Sequence, residues 1–371
     1  MILGVDASNI RDGGGVTHLK NLLRFAEPER FGIKKIIVWG GKDLLGQLSS
    51  RTWLDLREVI ALNRSLLCRL YWQNMELTSL VRKNCDLLFV PGGLYLGSFR
   101  PYVAMCQNLL PFVDDEIARY GFSGITIRMK MLALGQAHTF AHADGIIFLT
   151  RYVRDLLLSK YYRLDHVRNA VIPHGIDPIF WRYNVVFHKP TVPIRLLYVS
   201  RVDLYKHQWK VVSAVSILRN QGFDIHLTLV GSAYYPALEK LNTVMKMEDN
   251  DSTFTKYLGP IDYDDLPFYY HNTDLFIFAS TCETLGIILL EAMASQLPIA
   301  CSSRQPMPEV LGDAGVYFDP EDVTSITIAL RKLLISTKLR KVKAKMAKEH
   351  SGQYLWQRCA DDTFHFLSAS I

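Results

Sequence analysis

The stretch from residue 275 to residue 302 limits the fold more than any other part of the chain. Residues 275–280 form a short apolar run rich in phenylalanine and isoleucine, which is typical of a buried strand in a parallel sheet. Residues 281–283 read as a polar turn, and Glu283 or Thr284 can cap a following helix. Apolar side chains then recur at helical spacing, at Leu285, Ile288, Leu289, Ala292 and Met293. With LPIACS at its end, the stretch predicts strand, turn, helix and second strand.

Two carboxylates stand on this stretch, Glu283 at the mouth of the predicted helix and Glu291 two turns further on. A helix mouth after a parallel strand offers unsatisfied N–H groups and the positive end of the helix dipole, so it suits a phosphate. Gly286 would let a ligand approach the backbone there. Because carboxylates accept hydrogen bonds from sugar hydroxyls, the pattern predicts a sugar nucleotide. Without this context, two glutamates at such a spacing would more often lie on a solvent-exposed helix face and have no functional role.

The segment ETLGIILLE resembles the Glu-x7-Glu signature of retaining GT-B glycosyltransferases of the family 4 type, which use nucleotide sugars. The resemblance implies an α/β fold of two Rossmann-like domains that face a cleft, with a C-terminal helix that crosses back to the first domain. The rigid bend at Pro173 and Gly175 resembles the family's crossover between domains. We therefore expect an acceptor-binding domain over 1–178, a nucleotide-sugar-binding domain over 179–350 and the returning helix over 351–371. Residues 182–192 read as a loop without periodicity.

A cationic motif follows the first strand predicted for the second domain, at 194–199. Arg201 and Lys206 lie five residues apart at its carboxyl end, the edge at which parallel sheets bind ligands. Arginine can hold a diphosphate through two parallel hydrogen bonds, and lysine adds a point charge. Two cations in a turn are otherwise most often surface residues. The resemblance implies that both neutralise the leaving diphosphate and that Glu283 contacts the transferred sugar, so these three residues are the predicted catalytic set.

The resemblance also assigns the donor-binding residues. Glu291 is expected to bind the ribose hydroxyls, and the helix mouth to contact the diphosphate. Near the N-terminus, a glycine-rich turn lies between an apolar run at 2–6 and a helical pattern at 16–25, an arrangement that suits phosphates but also fits an ordinary tight loop. The predicted donor-binding residues are Glu291, Thr284, Leu285, Gly286, Gly14, Gly15, Gly231 and Ile261.

The acceptor side departs from the family pattern. After the strand at 102–107 the family often has His-Asp, whereas this chain has Gln107-Asn108. These amides can bind a hydroxyl but cannot act as a base, and the alternative is that they cap the next turn. The helical stretch 126–142 borders the acceptor in the family. Arg128 and Lys130 are therefore assigned to an acceptor phosphate, with a solvated helix face as the alternative.

Composition bears on partners and location. The six cysteines are scattered without a close pair, which favours a reducing compartment over a zinc site or a disulfide framework. The N-terminus lacks a signal-peptide pattern, and no apolar run is long enough for a membrane span. We expect a cytoplasmic protein, and the resemblance implies that it needs no metal or other cofactor. The net charge of +6 is too small and too dispersed to predict nucleic-acid binding.

One basic segment, at 338–348, reads as a solvated helix face. The alternative is weak attraction to acidic lipids, which would place the protein at the inner face of the cytoplasmic membrane.

The predicted function is transfer of a hexose-type sugar from a nucleoside diphosphate sugar to a saccharide or lipid-linked saccharide acceptor. The resemblance implies retention of configuration, no metal, and a role in O-antigen or capsule-type assembly. A sugar-nucleotide epimerase of the same fold would need an acid/base set, and none is evident near Gln107. A non-catalytic GT-B scaffold is disfavoured by the intact acidic and cationic pairs. A dehydrogenase is disfavoured because the glycine run lacks G-x-G-x-x-G spacing.

Overall fold

A computed structural model describes residues 1–11, 13–63, 66–181 and 193–370 of the chain, which divides into two compact units. Unit 1 comprises Met1–Ile117, Gly121–Gly175 and Tyr354–Ile371, and unit 2 comprises Ala118–Tyr120 and Ile176–Gln353. The sequence placed the domain boundaries after residues 178 and 350, with 118–120 in the first domain, whereas this tripeptide belongs to unit 2. The loop predicted at 182–192 lies outside the described residues.

Unit 1 is built on a seven-stranded parallel sheet. Its strands are β1 (Ile2–Asp6), β2 (Lys35–Gly40), β3 (Leu54–Glu58), β4 (Leu87–Val90), β5 (Tyr102–Cys106), β6 (Gly145–Phe148) and β7 (Asn169–Val171). They lie in the order β3-β2-β1-β4-β5-β6-β7. Strands β4, β5 and β6 are buried along their whole length, which is why they read as continuous apolar runs. The edge strands β3 and β7 are partly exposed, and the sequence did not predict them.

Helices connect these strands in the right order for a doubly wound sheet. They are α1 (Gly13–Arg24), α2 (Lys42–Leu45), α3 (Leu66–Tyr71), α4 (Leu77–Asn84), α5 (Asp114–Ala118), α6 (Gly124–Ala141) and α7 (Arg151–Lys160), with a π-helical turn, Trp72–Glu76, between α3 and α4. Helix α1 begins three residues before the predicted position. Gly14 and Gly15 therefore lie in its first turn and not in a separate loop.

Unit 2 repeats the pattern with a six-stranded parallel sheet. Its strands are β8 (Ile194–Val199), β9 (Ile225–Val230), β10 (Thr255–Tyr257), β11 (Leu275–Phe278), β12 (Ile299–Ser302) and β13 (Gly315–Phe318). Its helices are α8 (Gln208–Asn220), α9 (Tyr235–Glu248), α10 (Leu266–His271), α11 (Ile287–Ala294), α12 (Met307–Leu311), α13 (Val323–Ile335) and α14 (Thr337–Ser351). The strand order β10-β9-β8-β11-β12-β13 reverses between β8 and β11.

The last helix, α15 (Trp356–Ser368), belongs to unit 1, as the sequence predicted for the returning C-terminal helix. Its Phe364 ring stacks on Phe31 at a centroid distance of 6.3 Å. At its start, an added Cβ on Gly175 would lie 2.2 Å from the Trp356 nitrogen, so only glycine permits this close approach. The α/β fold of two Rossmann-like domains is thus confirmed.

The basic helix α14 uses several of its cations within the protein. Arg340 is buried and donates to the carbonyl oxygens of Leu333 and Leu334 at the end of α13. Lys348 Nζ donates to the Ala294 carbonyl oxygen at 2.6 Å. The prediction of a solvated basic face therefore holds for only part of this helix. Within the described residues, no helix combines the length and the apolar character that crossing a bilayer requires.

Candidate functional site

The loops that follow β8 and β11 form the centre of the candidate site in unit 2. Because the strand order reverses between these strands, the connections at their carboxyl ends diverge and leave a crevice, which is where such sheets bind ligands. The loop after β8 carries Arg201 and Lys206, and the loop after β11 carries Glu283. The Thr281 N–H donates to the Tyr205 carbonyl oxygen at 2.9 Å and joins the two loops. The cationic and acidic motifs, far apart in sequence, thus meet at one edge of the sheet.

Lys206 and Glu283 form an ion pair between Nζ and Oε1. Their side chains are only 8% and 15% exposed. The ammonium group also lies 5.0 Å from the ring centre of Tyr205 and 5.4 Å from that of Phe278. A charge in such surroundings is costly without its partner, so removal of either side chain would leave the charge of the other uncompensated.

Arg201 differs from Lys206 because its side chain is 53% exposed. Its Nε lies 3.5 Å from Asp203 Oδ2, a long contact for an ion pair. The loop itself is fixed, since the Arg201 carbonyl oxygen accepts from Gln208 Nε2 at 2.9 Å and Asp203 Oδ1 accepts from the Tyr120 hydroxyl at 2.6 Å. The guanidinium is therefore held by its backbone at the crevice while its donors remain accessible to an anion.

Gly231 follows β9 and lies against the loop after β8. Its φ is 139°, and an added Cβ would lie 2.2 Å from the Ser200 carbonyl oxygen, so no side chain fits there. Ile261 is half-buried in the connection after β10, which ends at Tyr257. The predicted contacts of both residues with the donor stay predictions.

Helix α11 begins at Ile287 and is preceded by Gly286 in the left-handed region, at φ 80°. The expected cap by Glu283 or Thr284 is wrong, since the helix has no side-chain cap. The reason is that Gly286 turns the chain into the helix, while Glu283 is held in the preceding turn by Lys206. Leu285 is buried, so only its backbone can reach a ligand. The helix mouth is consequently lined by backbone groups.

Glu291 lies inside α11 and is buried. It accepts hydrogen bonds from the hydroxyls of Tyr270 at 3.0 Å and Tyr263 at 3.4 Å. Burial raises the pKa of Glu291 to about 8; the two tyrosine hydrogen bonds oppose this rise, and the nearby charge of Asp177 adds to it. In this structure the carboxyl group is therefore mainly protonated at neutral pH. Sequence reasoning missed these three neighbours, because Asp177, Tyr263 and Tyr270 lie on segments that are distant from Glu291 in the sequence.

In unit 1, Gln107 is held by a histidine that sequence reasoning also missed. Its Nε2 donates to the Pro91 carbonyl oxygen at 3.1 Å and lies 3.2 Å from His18 Nδ1. Burial lowers the pKa of His18 to about 3, so the imidazole is neutral and its Nδ1 can accept. His18 in turn stacks on His174 at a ring distance of 4.6 Å. The spacing of His18 and Gln107 gave no signal of this contact, which depends on the approach of α1 to the residue that follows β5.

The other predicted residues of unit 1 fall into two places. An ideal Cβ on Gly15 would lie 3.9 Å from Gln107 Oε1, so the glycine run and the end of β5 are neighbours. Asn108 Oδ1 accepts from the Leu110 N–H at 3.2 Å, which is the turn-capping contact considered as its alternative role. Arg128 and Lys130 are exposed on α6. The assignment of the glycine run to the donor stays a prediction, and so do the assignments of Gln107, Asn108, Arg128 and Lys130 to the acceptor.

Residues 181–350 match the family described as glycosyl transferases group 1. O-antigen chain mannosyltransferase B of Escherichia coli is 33% identical over 110 residues, which are 30% of this chain and 29% of that protein. Sulfoquinovosyl transferase SQD2 of Arabidopsis thaliana is 30% identical over 175 residues, which are 46% of this chain and 32% of that protein. The chain thus matches about a third of the length of these two relatives.

Solved structures resemble nearly the whole chain. Sucrose-phosphate synthase from Thermosynechococcus elongatus has a TM-score of 0.78 at 16% identity, over 98% of this chain and 97% of that one. HepE from Anabaena, in complex with UDP and glucose, has a TM-score of 0.72 at 18% identity, over 99% of each chain. At these identities the likeness establishes the fold. The chain has the GT-B fold, and residues 181–350, which lie almost entirely in its second unit, match the glycosyl transferases group 1 family.

Proposed function

We propose that this chain transfers a hexose-type sugar from a nucleoside diphosphate sugar to a saccharide or lipid-linked saccharide acceptor, with retention of the anomeric configuration. The observation that carries the proposal is the buried pair of Lys206 and Glu283 beside the exposed Arg201, at the strand-order reversal of the unit that matches the family. The complex of HepE with UDP and glucose supports a sugar nucleotide as the donor class.

The donor diphosphate would bind between the two loops. Arg201 offers a planar set of donors at the entrance, and Lys206 offers a cation deeper in the crevice. The first N–H groups of α11, beyond Gly286, add the positive end of a helix. These groups are in position before the donor binds, so they stabilise the charge that develops on the leaving diphosphate. In this proposal they supply the positive charge that a divalent metal would otherwise provide.

Lys206 can interact with two anionic groups in the crevice, Glu283 and a bound phosphate. When a phosphate enters, the ammonium group would share its hydrogen bonds between Glu283 and the phosphate oxygens. Glu283 is then able to accept from the hydroxyls of the sugar and to favour positive charge at its anomeric carbon. The bond from that carbon to the phosphate oxygen breaks, and a bond to the acceptor oxygen forms on the same face. The acceptor's proton passes to the departing phosphate oxygen.

The proposed setting is assembly of surface polysaccharide at the cytoplasmic side of a membrane. The similarity to an O-antigen mannosyltransferase supports this setting, and so does the structural likeness to WaaG, a glycosyltransferase of lipopolysaccharide biosynthesis with a TM-score of 0.71 at 14% identity. The acceptor would bind in unit 1, where Gln107 lies beside Gly15.

The first experiment is a thermal-shift screen against UDP-, GDP-, dTDP- and ADP-sugars, followed by transfer assays with the donor that stabilises the protein. We expect Lys206→Ala to lower turnover by about 100-fold or more, because a preorganised charge is lost. Lys256→Ala is the matched control, since Lys256 is exposed on β10 of the same unit.

Three results would count against the proposal. If no sugar nucleotide stabilises the protein, the chain is not a donor-dependent transferase. If Arg201→Ala and Lys206→Ala both keep normal turnover, the diphosphate binds elsewhere. If the donor isomerises without an acceptor, the reaction is epimerisation. Nuclear magnetic resonance of the product reports its anomeric configuration directly.

A further inference from the structure

Helix α6 of unit 1 carries an apolar stripe that faces solvent. Ile127, Met131 and Leu134 are 64%, 68% and 74% exposed, and Phe122, just before the helix, is exposed as well. At 3.6 residues per turn, the three helical positions lie within roughly 60° of arc on one face. Single exposed apolar side chains are ordinary, but a row of large ones marks an interaction surface.

Other positions of α6 pack within unit 1. An ideal Cβ on Gly135 would lie 2.7 Å from Leu94 Cδ1, and Thr139 Oγ1 accepts from the Tyr95 N–H at 2.9 Å. Phe140 packs on Phe112 at a ring distance of 6.2 Å. The fold therefore covers one part of the helix and leaves the row of Ile127, Met131 and Leu134 uncovered.

Segments linked to α6 carry further exposed apolar side chains. Leu94, which contacts α6, accepts at its carbonyl oxygen from Gln73 Nε2 at 2.7 Å. This links α6 with the π-helical turn and the loop after β4, and each of these segments contributes another exposed apolar side chain, Met75 and Leu96 respectively.

Cations border the stripe on both sides. Relative to Ile127, helical geometry places Lys130 roughly 60° to one side and Arg128 roughly 100° to the other. Both are exposed, and α6 contains no aspartate or glutamate. Arg69 lies near Arg11 and Arg128. Its pKa is lowered mainly by burial and additionally by the positive charges of these two residues. The positive potential therefore continues from α6 towards α3.

We propose that this face of α6, with Ile127, Met131 and Leu134 at its centre, docks unit 1 onto an anionic lipid bilayer. An apolar stripe with a cation on each side matches the layers of such a surface, because the stripe enters the acyl boundary while the cations meet phosphate groups. A second copy of the chain fits less well, since a two-fold contact would bring the same cations together. The inference goes beyond the proposed reaction, and its test needs no sugar.

The test is co-sedimentation of the full chain with phosphatidylcholine vesicles, prepared with and without phosphatidylglycerol. We expect binding to the anionic vesicles and a loss of about ten-fold or more in the partition coefficient for Ile127→Ser/Met131→Ser/Leu134→Ser. The matched control is Met247→Ser/Ile328→Ser/Ile335→Ser, which removes three exposed apolar side chains from unit 2. It should bind as the unchanged protein does. Added salt should weaken binding without abolishing it, because salt screens only the cations.

Several outcomes would overturn the inference. One is failure of the unchanged protein to bind anionic vesicles, and another is equal loss in the α6 variant and its control. A dimer that dissociates in the α6 variant, without vesicle binding, would assign the surface to a second copy. If the triple variant does not fold, the double variant Arg128→Gln/Lys130→Gln is tested in its place. It should bind vesicles with and without phosphatidylglycerol about equally, and an unchanged preference for phosphatidylglycerol would overturn the inference. A chain that binds vesicles but no sugar nucleotide would refute the proposed function and leave this inference standing.

Discussion

Glu283 and Glu291 are eight residues apart on one strand–turn–helix element, yet the fold removes their charge from water in different ways. Glu283 lies in the turn and is matched by the ammonium group of Lys206. Glu291 lies in the helix and meets two tyrosine hydroxyls, with no cation among its contacts in the described residues. A buried carboxylate needs either a cation or a proton. One glutamate is therefore neutralised by an ion pair and the other by protonation.

This difference separates the roles that the two carboxyl groups can have. An ionised Glu283 can respond to positive charge on a sugar during the reaction. Glu291 must first release a proton before it can act as an ionised acceptor for two hydroxyls. Its predicted role with the ribose therefore implies that donor binding near neutral pH is accompanied by proton release.

Breaking the ion pair should have the largest effect. Lys206→Met leaves Glu283 without its cation, and we expect a loss of about 3–5 kcal/mol in the free energy of unfolding. The double variant Lys206→Met/Glu283→Gln should regain most of this loss, because neither charge is left buried. Urea titration measures both, with Lys256→Met as the control for an exposed lysine of the same unit. A loss below about 1 kcal/mol for the single variant would show that the pair is solvated.

The pH dependence of stability is the next largest effect and concerns Glu291. The pKa of a glutamate in water is 4.5, and that of Glu291 in the folded protein is about 8. Between these values the folded state holds one more proton than the unfolded state, so this group's contribution is complete below pH 4.5 and is lost as the pH rises towards 8. The slope is at most about 1.4 kcal/mol per pH unit.

Glu291→Gln should remove that slope, because an amide keeps the hydrogen bonds but does not titrate. Urea titrations across the window measure the difference, and Glu248→Gln provides a control at an exposed glutamate on α9. If the free energy of unfolding depends on pH in the same way for Glu291→Gln and for the unchanged protein, the Glu291 carboxyl group is not protonated in the folded state.

The smallest expected effect distinguishes the two tyrosines. Both hydrogen bonds oppose the burial that raises the pKa of Glu291, so removing either hydroxyl should raise this pKa further. The shorter contact, from Tyr270, should matter more than that from Tyr263. We expect about 1 kcal/mol of lost stability for Tyr270→Phe and less for Tyr263→Phe. Infrared titration of the carboxyl band, assigned by its absence in Glu291→Gln, reports the pKa; an unchanged value in both variants would contradict the contacts.

Local patterns were sufficient for most of the fold. The central strands of both sheets are buried on both faces, so their apolar runs were visible without any knowledge of their partners. Edge strands β3 and β7 are partly exposed and lack this signal. The start of α11 was misjudged because the left-handed conformation of Gly286 replaced a side-chain cap.

The site was predictable as a list of residues but not as a set of contacts. Arg201 and Lys206 are both cations in one loop, and nothing in their spacing shows that one is exposed and the other buried. Sequence likewise did not show which cations of the basic helices are used within the fold and which are exposed. Helix α14 is rich in cations but uses Arg340 and Lys348 within the fold, whereas α6 has fewer cations and presents them at an apolar surface.

Sequence by itself determined most of the strands and helices and which loops lie at the carboxyl edge of each sheet, because these features follow from short-range periodicity and from the connection rules of parallel sheets. Only the tertiary structure decided which side chains lose water and what replaces it. The charge on Glu291, the partner of Lys206 and the placement of Gln107 by His18 all depend on groups distant in the chain. Desolvation and pairing depend on distance in space, which spacing along the sequence does not record.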